Sequence, residues 1–136
     1  MKTYFIFILC LTSYTLKAQS ITSDTLRWNA SGFKDLVSNE VVNGVTSQFI
    51  TYGNQKIEWL QGGGSFVSTF TITATSGTWS NISNTGSMTY SISGEQLTGQ
   101  MTFVRSVSGV TVELTFTTGT TSTIHHSYTI TSIDTL

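Results

Sequence analysis

The sequence predicts an all-β fold, an antiparallel meander of about eight strands that forms a closed or nearly closed up-and-down barrel. A two-sheet β-sandwich is the alternative. Three observations lead there. Apolar residues alternate with serine and threonine along most of the chain, the period of two that an extended strand imposes on its faces. The alternating segments are divided by clusters of Gly, Asn and Ser, and no proline interrupts any of them. Nearly every segment meets the next through a tight turn, whereas a sandwich needs longer crossing connections, and closure removes exposed sheet edges.

Residues 1–18 stand apart from this pattern. Lys2 gives a positive start, Tyr4 to Leu11 is an apolar core, and Leu16-Lys17-Ala18 ends in a small residue. That is the layout of a secretory signal peptide, whose apolar part is too short to span a membrane. Export to the periplasm, the cell surface or the extracellular space is therefore expected, with no transmembrane segment in the mature chain.

The mature chain, 19–136, has the size of one domain and can enclose one core. Cys10, the sole cysteine, leaves with the signal peptide, so stability must come from packing rather than disulfides. Arg27, Lys34, Lys56 and Arg105 then face seven carboxylates, a mature charge of about −3 without clusters. No basic patch suits nucleic acid or an anionic membrane. With only 10% charged residues the chain has a linker-like polarity, but its regular alternation excludes disorder. Threonine is β-branched and suits the wet side of a sheet.

Taken in order, Thr25 to Ala30 carries Leu26 and Trp28 at period two and opens the sheet. In Ser31 to Gly44, Phe33, Leu36 and Val37 have helical spacing, so a single helical turn and a loop are both open readings. Ser47–Tyr52 and Lys56–Leu60 flank Gly53-Asn54-Gln55 as a hairpin. Ile57, Trp59 and Gln61 share one face of its second strand, and Gly62-Gly63-Gly64 then turns the chain.

Ser65 to Phe116 holds the strongest alternation. Phe66, Phe70, Ile72 and Ala74 share a face, followed by Met88, Tyr90 and Ile92, then Leu97, Met101 and Phe103, then Val110, Val112, Leu114 and Phe116. Breaks fall at Ser76-Gly77, Asn81–Ser87, Ser93–Gln96 and Ser106–Gly109. Thr117 to Ser122 reads as a longer polar loop. Ile124, His126, Tyr128 and Ile130 share the last inner face. Ile133 has the opposite parity, which predicts a bulge or the sheet's end near Thr131.

Few residues carry catalytic promise. His125 and His126 are adjacent on a strand and point to opposite faces, so they do not grip one metal together. Asp24, Asp35, Glu40, Glu58, Glu95, Glu113 and Asp134 are scattered, with Glu58 and Glu113 on wet faces. There is no Gly-x-Ser-x-Gly elbow and no P-loop after the three glycines. The chain is expected to be no enzyme and to hold no cofactor or metal. Asn29-Ala30-Ser31 and Asn81-Ile82-Ser83 fit the N-glycosylation acceptor pattern.

The aromatics carry more weight. Trp28, Trp59 and Trp79 either plug the core or line a cavity, and small eight-stranded barrels do hold single ligands. On the second reading Trp28, Trp59, Phe66, Phe70, Trp79, Tyr90, Phe103 and Tyr128 form a ligand-binding lining.

Gly77-Thr78-Trp79 resembles the Gly-x-Trp of the calycin superfamily, the small secreted barrels that include lipocalins and avidins. There it marks a strand start, and the indole closes one end of the barrel. Ser80-Asn81, Gly86-Ser87 and Leu97-Thr98-Gly99 echo an avidin opening, which would match Asn81 and Ser87 to polar biotin contacts. However, Gln100 and Met101 occupy the place of the ligand-binding tyrosine, and the motif lies mid-chain. The broader likeness is to small secreted lipocalin-like domains of bacteria, which implies a barrel and says little about activity. The amphipathic strands and interior aromatics motivate the reading that the barrel binds a small apolar or amphipathic ligand. A structural or interaction module at the cell surface is the other reading, and it requires a filled barrel with an exposed patch or edge.

Overall fold

A computed structural model describes residues 18–118 and 122–136. The expected signal peptide lies outside this range except for Ala18. Eight strands follow in chain order: β1 (Thr25–Asp35), β2 (Val41–Tyr52), β3 (Lys56–Gln61), β4 (Phe66–Gly77), β5 (Gly86–Ser93), β6 (Thr98–Ser106), β7 (Gly109–Thr118) and β8 (Ser122–Thr135). A 3-10 turn, Gly62–Gly64, joins β3 to β4. Each strand pairs antiparallel with the next, and β8 returns to β1, so the sheet closes as a barrel. The expected meander and closure are what the chain forms; the sandwich is not.

The inner face carries the predicted apolar set. Phe70, Met88, Tyr90, Ile92, Met101, Phe103, Val110, Val112, Leu114 and Phe116 are all buried. They join Leu26, Trp28, Phe49, Ile57, Trp59 and Tyr128 in one cluster, with Leu97 and Ile72 packed against it. Eight strands leave a bore about as wide as two facing side chains, so large rings fill it.

The two ends differ. At the sealed end lie the start of β1, the Gly53–Gln55 turn, the 78–85 loop and the Val107-Ser108 turn. Ile21, Trp79 and Ile82 are buried across it. The Gln19 carbonyl accepts from Ile82 N at 3.0 Å, Asp24 O accepts from Gly53 N at 3.2 Å, and the Arg105 guanidinium donates to Ile82 O. The opposite, rim end gathers the β1–β2 turn, the Gly62–Gly64 turn and the 94–97 turn.

Several expectations need correction. Most of Ser31 to Gly44 is strand, and only 36–40 form the expected loop or turn. β1 runs on to Asp35, pairing with β2 on one side and β8 on the other, and β2 starts at Val41 rather than Ser47. Two flanking ladders outweigh a weak 3.6-residue pattern. The short reversal that follows is set by Asp35, whose Oδ1 accepts from Val37 N at 2.7 Å and Ser38 N at 3.1 Å, and by Asn39 at φ 63°. Ala74 is exposed because the register shifts between Ile72 and Ala74 and moves it to the outer face. Thr117 and Thr118 belong to β7 and Ser122 to β8, while the rest of the expected polar loop, 119–121, lies outside the described residues. Gly77 ends β4 instead of opening a strand, and Trp79 sits in the loop beyond it. The bulge at Thr131 is present. Asn29 pairs with Ser132 and Ala30 with Ile130, and the extra residue's hydroxyl donates to Asn29 O at 3.1 Å.

Gly86 and Gly99 are among the glycines required by close approach. A Cβ on Gly86 would stand 2.4 Å from the Trp79 ring, and one on Gly99 would stand 2.0 Å from the Thr115 carbonyl oxygen and 2.7 Å from the Phe116 ring. The clash at Gly99 is against backbone of the paired strand and cannot be relieved by a rotamer change. Gly99→Ala is therefore expected to lower stability by about 1–3 kcal/mol, read as a reduced urea midpoint with an unchanged slope.

Candidate functional site

Of the eight residues proposed to line a ligand cavity, seven converge in the barrel. Trp28 stacks obliquely on Phe103 at 4.9 Å and on Trp79 at 5.8 Å between ring centroids. Phe49 meets Tyr128 edge-on at 5.0 Å, and Trp59 lies 6.2 Å from both Phe116 and Tyr128. Phe70 stacks on Phe116 at 5.1 Å, and Tyr90 meets Phe103 edge-on at 5.8 Å. Offset and edge-on arrangements at these separations are the favourable geometries for aromatic pairs. The rings pack on one another, and the grooves lined by Phe70 and Leu97, by Ile82 and Ile133, by Ser91 and Thr117, and by Phe33 and Thr129 lie on the surface.

The eighth residue, Phe66, departs from the expectation. It has inner parity, but its level, Gln61–Phe66, is the last of the β3–β4 ladder, and it is 70% exposed. It sits on the rim, above the core that it was expected to join. Around that end Val37, Val41, Val45 and Val67 are exposed as well. Parity assigned Val67 to a polar face, and Val37, Val41 and Val45 fell in or beside the segment without a strand assignment. The adjacent apolar pair Phe66-Val67 after three glycines was the one sequence signal of a greasy rim.

The three indoles differ in satisfaction. Trp28 Nε1 donates to Thr51 Oγ1 at 3.1 Å, and Trp79 Nε1 donates to Asn84 O at 2.9 Å. Trp59 Nε1 is buried with no acceptor, in a side chain only 8% exposed. Trp59 pairs with Ser68, two residues below the Gln61–Phe66 rim level. An unmet buried donor costs about 1–3 kcal/mol, so it marks a place where an acceptor would be welcome.

Polar groups at the rim form a second cluster. His126 stacks on Phe33 at 4.2 Å between ring centroids, its Nδ1 lies 3.4 Å from the Tyr128 hydroxyl, and its Nε2 lies 4.0 Å from Asp35 Oδ2. Burial pushes the imidazole below its ordinary range, against the pull of Asp35. The Ser38 and Val37 N–H groups hold the Asp35 carboxyl low, and burial pushes the Tyr90 and Tyr128 phenols up. His125 pairs with Thr115 on the outer face, opposite His126, and is half-buried rather than fully wet. Outside the barrel Glu58 is not merely solvated. It takes Lys56 Nζ at 2.7 Å and the Tyr52 hydroxyl at 2.9 Å, and its pKa is held down chiefly by the lysine.

No metal-ligating group of three or more His, Cys, Asp or Glu side chains converges among the described residues. Asn29 of the first glycosylation pattern lies within β1, bonded to Ser132, Asp134 and Gln48, whereas Asn81 lies in the sealed-end loop and accepts from Ser83 N. No family model matches the chain, and searches of curated proteins and of solved structures yield no match.

His126 makes stability depend on pH. Its folded pKa lies below the unfolded value, so the unfolded chain binds a proton more readily. The contribution is present above the unfolded pKa of about 6.5 and is lost as pH falls through the folded one. Thermal unfolding midpoints are expected to fall between pH 7.5 and 5, and His126→Gln is expected to flatten that slope. An unchanged slope in the variant would assign the effect elsewhere.

Proposed function

We propose that the protein is an exported, non-catalytic, lipocalin-like binding protein that takes small apolar or amphipathic molecules at its rim and not inside its barrel. One observation carries this reading. Of the seven exposed large hydrophobic residues among the described ones, Val37, Val41, Val45, Phe66 and Val67 surround the rim, while Val107 and Leu136 lie at the sealed end. Apolar side chains held in water at one end of a barrel are the mark of a contact surface.

The filled core supports placing the ligand outside it, and the unpartnered Trp59 N–H just below the rim supports a ligand with a polar acceptor. The signal-peptide pattern supports export, and the closed eight-stranded meander with a buried Trp79 at one end supports the lipocalin likeness.

The test is titration with 1-anilinonaphthalene-8-sulfonate, followed by energy transfer from tryptophan. Saturable binding is expected. Phe66→Ser is expected to weaken it by at least about tenfold, roughly the worth of one buried aromatic contact, without lowering the unfolding midpoint. Val107→Ser, at the sealed end, is expected to leave it unchanged. Linear, non-saturable uptake, or equal losses in both variants, would overturn the reading.

A further inference from the structure

β4 is longer than the strand that follows it can cover. Its pairing with β5 begins only at Thr71–Ser93, because the chain turns away at Gly94, whose N–H closes on Leu97 O at 2.8 Å. β3 continues alongside β4 up to Gln61–Phe66. Phe66 to Phe70 is therefore paired on one side alone.

The parity of that free edge follows from one bond. Ile72 N donates to Gln55 O at 3.0 Å, so even-numbered residues of this part of β4 turn their backbone groups toward β3. Successive residues alternate, so the N–H and C=O groups of Val67 and Thr69 face the other way, where the ladder has ended. No backbone hydrogen bond satisfies them among the described residues. In their place lies a groove of about 570 Å³, lined by Val67, Ser68, Thr69, Phe70 and the turn Gly94, Glu95, Gln96 and Leu97. Its floor is apolar through Phe70 and Leu97, and its one charge is Glu95.

We infer that this edge is a strand-addition site for an extended peptide that alternates apolar and basic residues. The peptide backbone pairs with Val67 and Thr69 and continues the line that β5 abandons. Alternate side chains of an added strand point to opposite faces. One set settles on Phe70 and Leu97, and the other stands beside Glu95, where lysine or arginine is favoured. A mature chain of about −3 charge assists the approach of such a peptide. This site goes beyond the rim reading, because it uses backbone donors and acceptors rather than exposed apolar surface.

The probe is a fluorescein-labelled peptide of alternating valine and lysine, followed by anisotropy with the whole exported chain. Saturable binding is expected, weakened at least about tenfold by N-methylation of the alternate amides that face the strand, the worth of one or two hydrogen bonds. Thr69→Pro removes one donor from the edge and is expected to cause a similar loss. Glu95→Gln is expected to cost about threefold and to reduce the salt dependence. Should Thr69→Pro fail to fold, the methylated peptide on the unaltered protein decides the matter. Equal binding of methylated and unmethylated peptides would show charge attraction alone and overturn the proposal. So would the absence of saturable binding, or an edge occupied by a second copy in solution. Phe66→Ser, which tests the rim, is expected to leave peptide affinity within about twofold, so the two readings fail separately.

Discussion

The ladder between β8 and β1 is the constraint on which the rest of the molecule depends. It converts an open meander into a barrel, and it does so across the greatest sequence separation in the chain, from Leu26–Thr135 to Asp35–His126. The ladder slips twice, once at Thr131 and again between Ala30 and Phe33. Bulges increase local twist, which a small barrel needs at its corners. Because β1 is held on both flanks, its second half stays extended beyond Ala30. That extension brings Phe33 and Asp35 to His126 and Tyr128 and builds the rim's polar cluster. Closure is costly in loop entropy and is repaid only when the bore is filled. The ring cluster of Trp28, Phe49, Trp59, Phe103 and Tyr128 fills it.

The inner and outer faces have opposite chemistry, and both explain the composition. Inside are large apolar rings. Outside, hydroxyl residues run in register from strand to strand: Thr71 opposite Ser93, Ser93 opposite Thr98, Thr98 opposite Thr117, and Thr117 opposite Thr123. A barrel that spans a bilayer reverses this, with an apolar exterior and a polar lumen. Threonine pairs across strands are mildly favourable and keep a neutral surface wet. They also account for a well-formed domain with only 10% charged residues.

Period-two alternation made the strands, the inner face and the closed meander legible because those features depend on local sequence. The parity break at Ile133 pointed to a bulge or the sheet's end near Thr131, and the bulge is what the ladder forms. What was illegible depended on where strands stop relative to their neighbours. Phe66 has the parity of a core residue, and only the end of the β3–β4 ladder tells that nothing lies above it. The fate of Ser31 to Gly44 was hidden for the same reason, because its extended form is imposed by β2 and β8 and not by its own residues. Asp35 and His126 stand 91 positions apart, and no local pattern joins them.

Unequal strand lengths then decide where function can reside. A guest in the bore would have to displace rings packed on one another, each worth about 1.5–3 kcal/mol of burial. The sealed end is closed by Ile21, Trp79 and Ile82 under a layer of backbone hydrogen bonds. The rim is different in kind. There β2 outruns β3 and β4 outruns β5, exposing valines, a phenylalanine and the unpaired groups of Val67 and Thr69. Exposed apolar surface and open strand edges are both liabilities for a protein in water and are ordinarily blunted by charge or proline. Glu95 is the one charge lining the groove beside this edge, and the chain has no proline at all. A molecule that seals one end with care and leaves the other open has concentrated its unsatisfied groups where a partner can meet them.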